Sequence, residues 1–242
     1  MTDAALTDRL NREVLHGATE TAVRQAEFGW LSAAGKLRRQ RRIDFLCQTL
    51  PKTAKVLEIG AGTGIQTLGL LQYFSDVTGI DISPDLLRVA EKRAPGAKYE
   101  VMDAHNPNYA DESFDAVVGI SILHHLNWEL ALKSAHRLLK HGGVVRFSEP
   151  NMLNPQIFLQ KNIPWLKRLA GDSPDETAFT RWQIASALRK AGFERINVRP
   201  FEFLHPGTPE KYIPLLSKLE KLVSATPINE IAGSLLIEAW KA

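Results

Sequence analysis

A single cysteine, Cys47, is present in 242 residues. This excludes a disulfide framework and a cysteine-rich zinc site, and it agrees with a reducing compartment. Long apolar runs are missing as well. No stretch approaches the ~18 consecutive apolar residues that a spanning helix needs. The first ten residues, MTDAALTDRL, carry acids and no apolar core, so no secretory signal is evident and a cytoplasmic location is expected. Charge is nearly balanced, at +3, and gives no strong prior for nucleic acid. The sharpest basic cluster is Lys36, Arg38, Arg39, Arg41 and Arg42. It could meet an anion, nucleic acid or lipid headgroups, or be the solvated face of a helix.

The chain has enough hydrophobic side chains, 44%, to bury a full core as one domain. From residue 55 onward, strand-like runs alternate with helical patterns. KVLEI, VTGID, KYEVM, FDAVVGI and GVVRFSE each end near a turn signal, with helices expected at about 64–74, 84–94, 128–140 and 180–191. Ser83-Pro84 is a good helix start, and Thr180-Arg-Trp-Gln183 fits a capping box. Near-continuous apolar strands alternating with helices predict an α/β fold with a mostly parallel sheet covered on both faces. The final apolar run, SLLIEAW, lacks a preceding crossover helix of regular pattern, so an antiparallel last strand is expected.

Ligands of such sheets bind beyond the carboxyl ends of the strands, near the switch in strand order. The turn after the first strand, VLEIGAGTG, belongs there. Gly60 and Gly62 let backbone approach a ligand closely, and Gly64 opens the helix. A dinucleotide fingerprint would need glycine or alanine where Ile65 stands. Glu58, two residues before Gly60, suits a cationic ligand better than a pyrophosphate. Asp81, ending the second strand, offers acceptor-only oxygens to both hydroxyls of a ribose. Asp103, ending the third strand, could read an adenine amino group or merely start a loop. His105 is expected in that loop or exposed.

VLEIGAGTG, GIDIS, MDA, SFDAVVGISILHHL and LLKHGGVVRFSEPN, in this order and spacing, resemble the class I S-adenosyl-L-methionine-dependent methyltransferases. The resemblance covers about residues 40 to 203, and SLLIEAW matches the family's reversed last strand. It implies a three-layer Rossmann-like fold with a seven-stranded, mostly parallel sheet. It also implies an organisation as one domain: residues 1–50 as an N-terminal helical lid, 51–150 as the cofactor core, and 151–242 as substrate-side insertions and C-terminal strands. The implied cofactor is S-adenosyl-L-methionine. Glu58, Gly60, Ala61 and Gly62 would line its methionine end, Asp81 would hold the ribose, and Ile82 would pack on the adenine. Asp103 and Ala104 would face the adenine edge, and Gly119 and Ile120 would pass beneath the sulfonium.

Subclasses of the family differ in the residues just after the fourth strand. Methylation of exocyclic base amines commonly uses an Asn/Asp-Pro-Pro-aromatic loop, and this chain has Ser121-Ile-Leu-His-His. C5 pyrimidine methylation needs a thiol there, and Cys47 lies elsewhere. Metal-dependent catechol-type methylation places an aspartate where Gly119, Ile120 and Ser121 stand, so no metal is expected. The remaining resemblance is to the small-molecule and lipid methyltransferases, with an oxygen or nitrogen of a small or lipid- or glycan-linked acceptor and no nucleic-acid partner. His124 or His125 could take the acceptor's proton, or serve packing and capping. Glu149 could orient the acceptor or cap the following turn. Residues 151–169 are the expected acceptor wall, with Asn151, Phe158 and Trp165 as candidates. Their apolar content suits a hydrophobic acceptor, and Lys161, Lys167 and Arg168 suit a phosphate or an anionic membrane surface. Phe28 and Trp30 are candidates for the inner face of the lid, and Arg38 for the cofactor carboxylate. The competing function class is a binding module of the same fold, non-catalytic or associated with RNA through the basic cluster.

Overall fold

The computed structural model describes residues 29–173 and 176–242. Helix α1 (Ala33–Cys47) precedes strand β1 (Lys55–Ile59), the short helix α2 (Thr67–Leu70), β2 (Asp76–Asp81), α3 (Pro84–Arg93) and β3 (Lys98–Val101). Strand β4 (Phe114–Ile120) leads through a 3-10 turn (Leu123–His125) into α4 (Trp128–Leu138) and β5 (Leu139–Pro150). Then come α5 (Pro155–Asn162), α6 (Pro164–Leu169), α7 (Arg181–Lys190), β6 (Glu194–Phe201), α8 (Ile213–Val223) and β7 (Ser234–Trp240). The strands form one seven-stranded sheet in the order β3-β2-β1-β4-β5-β7-β6. Only β7 is reversed: it runs antiparallel to both β5 and β6, and the pairs from β3 to β5 are all parallel.

Alternation along the strands builds two cores. Leu57, Ile59 and Val117 face one side, with Leu132, Leu138, Ile184 and Leu188 from α4 and α7. Val56, Ala116 and Val118 face the other, with Ile43, Phe45 and Leu46 of α1. Each such fully buried aliphatic or aromatic side chain contributes about 1.5–3 kcal/mol. The described part of the N-terminal segment is therefore a core layer against the sheet. That differs from the expected lid, of which residues 1–28, Phe28 among them, lie outside the described residues. Trp30 packs partly buried against the second core.

The basic cluster also resolves differently from its expectation as a surface face. Arg38, Arg41 and Arg42 turn inward onto Glu202, at 2.7, 3.4 and 2.5 Å. Arg42 also donates to Ser148 and Ser234, at 3.1 and 2.7 Å, and burial lowers its pKa to about 10. A buried arginine is tolerated because its donors are paired. Arg38, the candidate for the cofactor carboxylate, gives its Nε to Glu202. No helix among the described residues is long and apolar enough to cross a membrane.

Candidate active site

Register aligns the carboxyl ends of β1, β2, β4 and β5 along one edge: Ile59 pairs with Ile80, Glu58 with Val118, and Ile120 with Ser148. The strand order switches between β1 and β4, and the glycine turn lies at that switch. Gly60, Gly62 and Gly64 all have positive φ, at 71°, 52° and 73°. Their surroundings differ. A Cβ on Gly60 would lie 2.4 Å from Ile122 Cγ1, and one on Gly64 would lie 2.8 Å from the Ala90 backbone, so these two are packing glycines. A Cβ on Gly62 would meet nothing within 4 Å. The open face of the turn is at Gly62. Gly64, at φ 73°, is not helical, and α2 begins at Thr67 rather than at the expected residue 64.

Asp81 closes this turn. Its Oδ2 accepts from Gly62 N–H and its Oδ1 from Ser83 N–H, both at 2.9 Å. Burial raises its pKa, and those two N–H groups oppose the rise. Each carboxylate oxygen has a further lone pair, so two hydroxyls could still be accepted. Beneath the turn, Glu58 is 2% exposed and accepts from Thr67 Oγ1 at 2.5 Å. Burial pushes its pKa up to about 8. Ala61 is buried against Leu87 and Ala90, and Ile82 is half-buried after β2.

Asp103 is held by His105, whose backbone N and ring Nδ1 lie 2.9 and 2.6 Å from Oδ1. That contact draws the Asp103 pKa down against the opposing effect of burial. Asn127 N–H donates to His105 Nε2 at 2.9 Å. His105 is therefore a buried tie between the loop after β3 and the start of α4, the loop alternative of the two expected for it rather than the exposed one. Ala104 packs partly buried against the first core.

At the end of β4, Gly119 is packed under Ile122, with a Cβ position 2.7 Å from Ile122 Cγ2, and Ile120 is buried. Ser121 comes next with φ 55°, a sparsely populated conformation for a residue with a side chain. The 3-10 turn after it is capped by Glu149 from the end of β5. Glu149 Oε1 accepts from Ile122 N–H and Leu123 N–H, at 2.9 and 2.8 Å, and Oε2 lies 2.7 Å from His124 Nδ1. Glu149 is 1% exposed and both its oxygens are engaged by the protein, which supports the capping alternative over direct contact with an acceptor. His124 is buried, and its pKa is lowered, chiefly by that burial and by the neighbouring His125. The rings of His124 and His125 lie 4.2 Å apart. His125 is half-exposed, acts electrostatically on Asp81, and has Nδ1 3.7 Å from Glu176 Oε1.

Glu176 has no counterpart among the residues singled out in the sequence. It precedes α7, far from the histidines in the chain, and Lys161 of α5 binds it at 2.8 Å while also binding Asp172 at 2.8 Å. Burial would raise the Glu176 pKa, but His125 and Lys161 bring it down to about 2. The wall segment itself is open. Phe158 and Trp165 are 51% and 60% exposed, and α5 and α6 bury no residue. This removes the alternative that these aromatics are core. Asn151 is buried and committed: its Nδ2 donates to Glu230 O and Ala232 O at 2.9 and 2.8 Å, and its Oδ1 accepts from Leu153 N–H at 3.1 Å. That corrects its candidacy as an acceptor contact, because no polar atom of the amide is directed outward.

The model of the family described as "Methyltransferase domain" matches residues 57–147. A demethylmenaquinone methyltransferase of Tropheryma whipplei is 31% identical over 178 residues, spanning 65% of this chain and 74% of the relative. This chain belongs to the S-adenosylmethionine-dependent class I methyltransferases. Two solved structures share the fold at lower identity. One is a methyltransferase of Thermotoga maritima described as a possible histamine N-methyltransferase, with TM-score 0.63, 22% identity, and 98% of this chain and 97% of that chain covered. The other is phosphoethanolamine N-methyltransferase 2 of Haemonchus contortus in complex with S-adenosylhomocysteine, with TM-score 0.67, 19% identity, and 97% and 59% covered. The methyltransferase uses S-adenosylmethionine, and its residues fit that group. The open position at Gly62 admits a ligand against the backbone, and the Asp81 carboxylate beside it keeps acceptor capacity.

Proposed function

We propose that this methyltransferase transfers a methyl group to an oxygen or nitrogen of a small or lipid-linked acceptor, with the acceptor's proton handled at the His124–His125 pair. The cofactor supplies an electrophilic methyl group on a sulfonium. What the chain must add is alignment of the nucleophile and removal of its proton. The observation that carries the reading is the Glu149–His124 contact of 2.7 Å at the end of β4. A carboxylate on Nδ1 fixes one tautomer and steadies the charge an imidazole gains on accepting a proton. Burial and the neighbouring His125 favour the neutral form of His124, which is the form that can accept a proton.

On the cofactor side, the Gly60–Gly62 turn with Ala61 would meet the methionine end, Asp81 the ribose, and Ile82 and Ala104 the adenine. Asp103 would contribute less through its side chain than through the loop it holds with His105. Gly119 and Ile120 would form the floor indirectly, through Ile122. Phe158 and Trp165 would present apolar surface to the acceptor, which is consistent with a relative named for demethylmenaquinone. An RNA-binding role has little support, since Arg38, Arg41 and Arg42 are bound to Glu202.

The test is a methylation screen with labelled cofactor against metabolite and lipid extracts, run beside His124→Ala and His125→Ala. Transfer to a small or lipid acceptor that falls about 100-fold or more in one variant, with S-adenosylhomocysteine affinity retained, supports the reading. Labelling of RNA alone, or full activity in both variants, overturns it.

A further inference from the structure

Among the described residues, His124, His125 and Glu176 each bring one potential ligand atom to within 4.8 Å of the others. We propose that these three residues form a site for a divalent transition metal of the zinc type, at the acceptor edge of the cofactor cleft. This rests on the methyltransferase reading only for its location. The donor set is two imidazoles and one carboxylate, a combination that zinc takes with a fourth position left open. Zinc bonds to nitrogen and oxygen are about 2.0–2.2 Å, so tetrahedral ligand atoms stand about 3.3 Å apart. The three ligand atoms, within 4.8 Å of one another, would close by about 1.5 Å at most.

The surroundings are built as metal surroundings are. A ligating histidine ordinarily gives its other ring nitrogen to a carboxylate, which sets the tautomer and the ring plane. Glu149 Oε2 does this at His124 Nδ1, so Nε2 is the ring atom a metal would draw from its present contacts. The same carboxylate caps the turn that carries both imidazoles, through Ile122 N–H and Leu123 N–H. Glu176 is positioned from its far side. Lys161 binds Oε2 at 2.8 Å, and Ser173 N–H donates to Oε1 at 2.8 Å. Oε1, the oxygen facing His125 at 3.7 Å, still has a lone pair for a metal. Nearby charge is divided: Glu149 and Glu176 favour a cation, and Lys161, bound to Glu176 and acting electrostatically on His124, opposes it.

The expectation of no metal rests on residues 119–121, which supply no carboxylate. The carboxylate arrives instead from the loop before α7. With metal bound, His124 Nε2 would be a ligand and no longer a proton acceptor; the open position would take the acceptor's oxygen or nitrogen, and the metal would acidify its proton in place of the imidazole. The competing explanation is a purely internal cluster, with His125 and Glu176 paired to each other and no affinity for a metal.

The full chain, stripped with chelator and dialysed, is titrated with zinc chloride by calorimetry and with cobalt(II) by visible absorbance. Glu176→Gln and His125→Asn are run in parallel, and S-adenosylhomocysteine is titrated into every sample. The expected result is one zinc per chain, visible bands of four-coordinate cobalt, and at least tenfold weaker binding in each variant. Zinc at ~100-fold over its Kd should also raise Tm by about 5–10 °C. Glu149→Gln should weaken zinc about 10–100-fold although it removes no ligand. This keeps the test informative if a ligand variant does not fold. Absence of stoichiometric zinc binding, or binding unchanged in all three variants, overturns the proposal. If S-adenosylhomocysteine binds normally while zinc does not, the metal site alone falls. If neither binds, the reading of the cleft falls as well.

Discussion

Glu149 Oε2 lies 2.7 Å from His124 Nδ1, and the other oxygen of the same carboxylate holds the two backbone N–H groups that begin the turn carrying His124. One buried side chain thus sets both where the imidazole is and which nitrogen bears its proton. Glu149→Gln keeps an acceptor for the turn but replaces the carboxylate partner of the ring. It should lower kcat about tenfold or more, with KM and S-adenosylhomocysteine affinity nearly unchanged. Glu149→Ala should instead cost about 3 kcal/mol of stability, because buried donors are left unpaired. Steady-state kinetics and urea unfolding separate the two effects. An unchanged kcat in the glutamine variant would remove Glu149 from the positioning of His124.

Asp81 joins the two halves of the cofactor cleft through Gly62 N–H and Ser83 N–H. Asp81→Ala should weaken S-adenosylhomocysteine binding about tenfold to hundredfold. A hydrogen bond to a charged acceptor is worth about 1.5–3 kcal/mol, and the turn also loses its anchor. Calorimetric titration gives the answer, and an unaltered Kd would sink the ribose assignment.

Gly60 and Gly62 should separate packing from binding. Gly62→Val puts a branched side chain into the open space of the cleft, so cofactor affinity should drop at least tenfold while the fold persists with some backbone strain. Gly60→Val drives a Cβ against Ile122 and should lower stability by about 1–3 kcal/mol or more. The comparison needs Tm and S-adenosylhomocysteine affinity on both variants. Normal cofactor binding by Gly62→Val would move the site away from this turn.

The alternation of strands and helices, the capping of α3 by Ser83 with Pro84 at its first turn, the capping box at Thr180 and the reversed β7 were all legible in the sequence. Each depends on neighbours in the chain or on alternation within one element, which a single sequence displays. Other features depend on contacts that cross the fold. Arg42 reads as one member of a basic run, yet it meets Glu202 and Ser234 across the sheet. Glu176 reads as a loop acid until Lys161 and His125 close on it. Gly60 and Gly62 look equivalent in Gly-x-Gly-x-Gly, and only the position of Ile122 distinguishes them. Asn151 looks available because the carbonyls it binds come from the segment just before β7.

Glu58 should give stability a measurable pH slope. Its folded pKa is raised to about 8 from an ordinary 4.5. Between those values the folded chain holds more protons than the unfolded chain. Stability therefore falls as pH rises through that window, by up to roughly 1.4 kcal/mol per pH unit for this group. Glu58→Gln should flatten that slope and be more stable than wild type near pH 8. A buried carboxyl near its own pKa also favours a cationic ligand over a neutral one as it ionises. Affinity for S-adenosylmethionine should thus rise with pH more than affinity for S-adenosylhomocysteine, and the difference should vanish in Glu58→Gln. Unfolding at pH 5.5 and 8, with calorimetry of both ligands, checks this. Equal slopes for wild type and variant would return Glu58 to an ordinary carboxylate.

Phe158 and Trp165 are large, apolar and exposed, on helices that bury none of their residues. Their place in the fold is more informative than their exposure. Lys161 reaches from α5 to Glu176, beside His125. Phe158 lies three residues earlier on the same helix and so shares that face. An aromatic side chain there is suited to contact an apolar acceptor at the far side of the histidines from the cofactor turn. Phe158→Ala and Trp165→Ala should each leave stability within about 0.5 kcal/mol of wild type, as exposed substitutions do. S-adenosylhomocysteine affinity should also stay unchanged. Acceptor KM should rise severalfold, and kcat should fall as well where the lost contact aligns the nucleophile. For an acceptor presented in lipid vesicles, the rise should be larger with anionic than with neutral lipid only if Lys167 and Arg168 take part in the same contact, so the pair Lys167→Ala and Arg168→Ala is the control. Unaltered acceptor kinetics in both aromatic variants would place the acceptor elsewhere along the sheet edge.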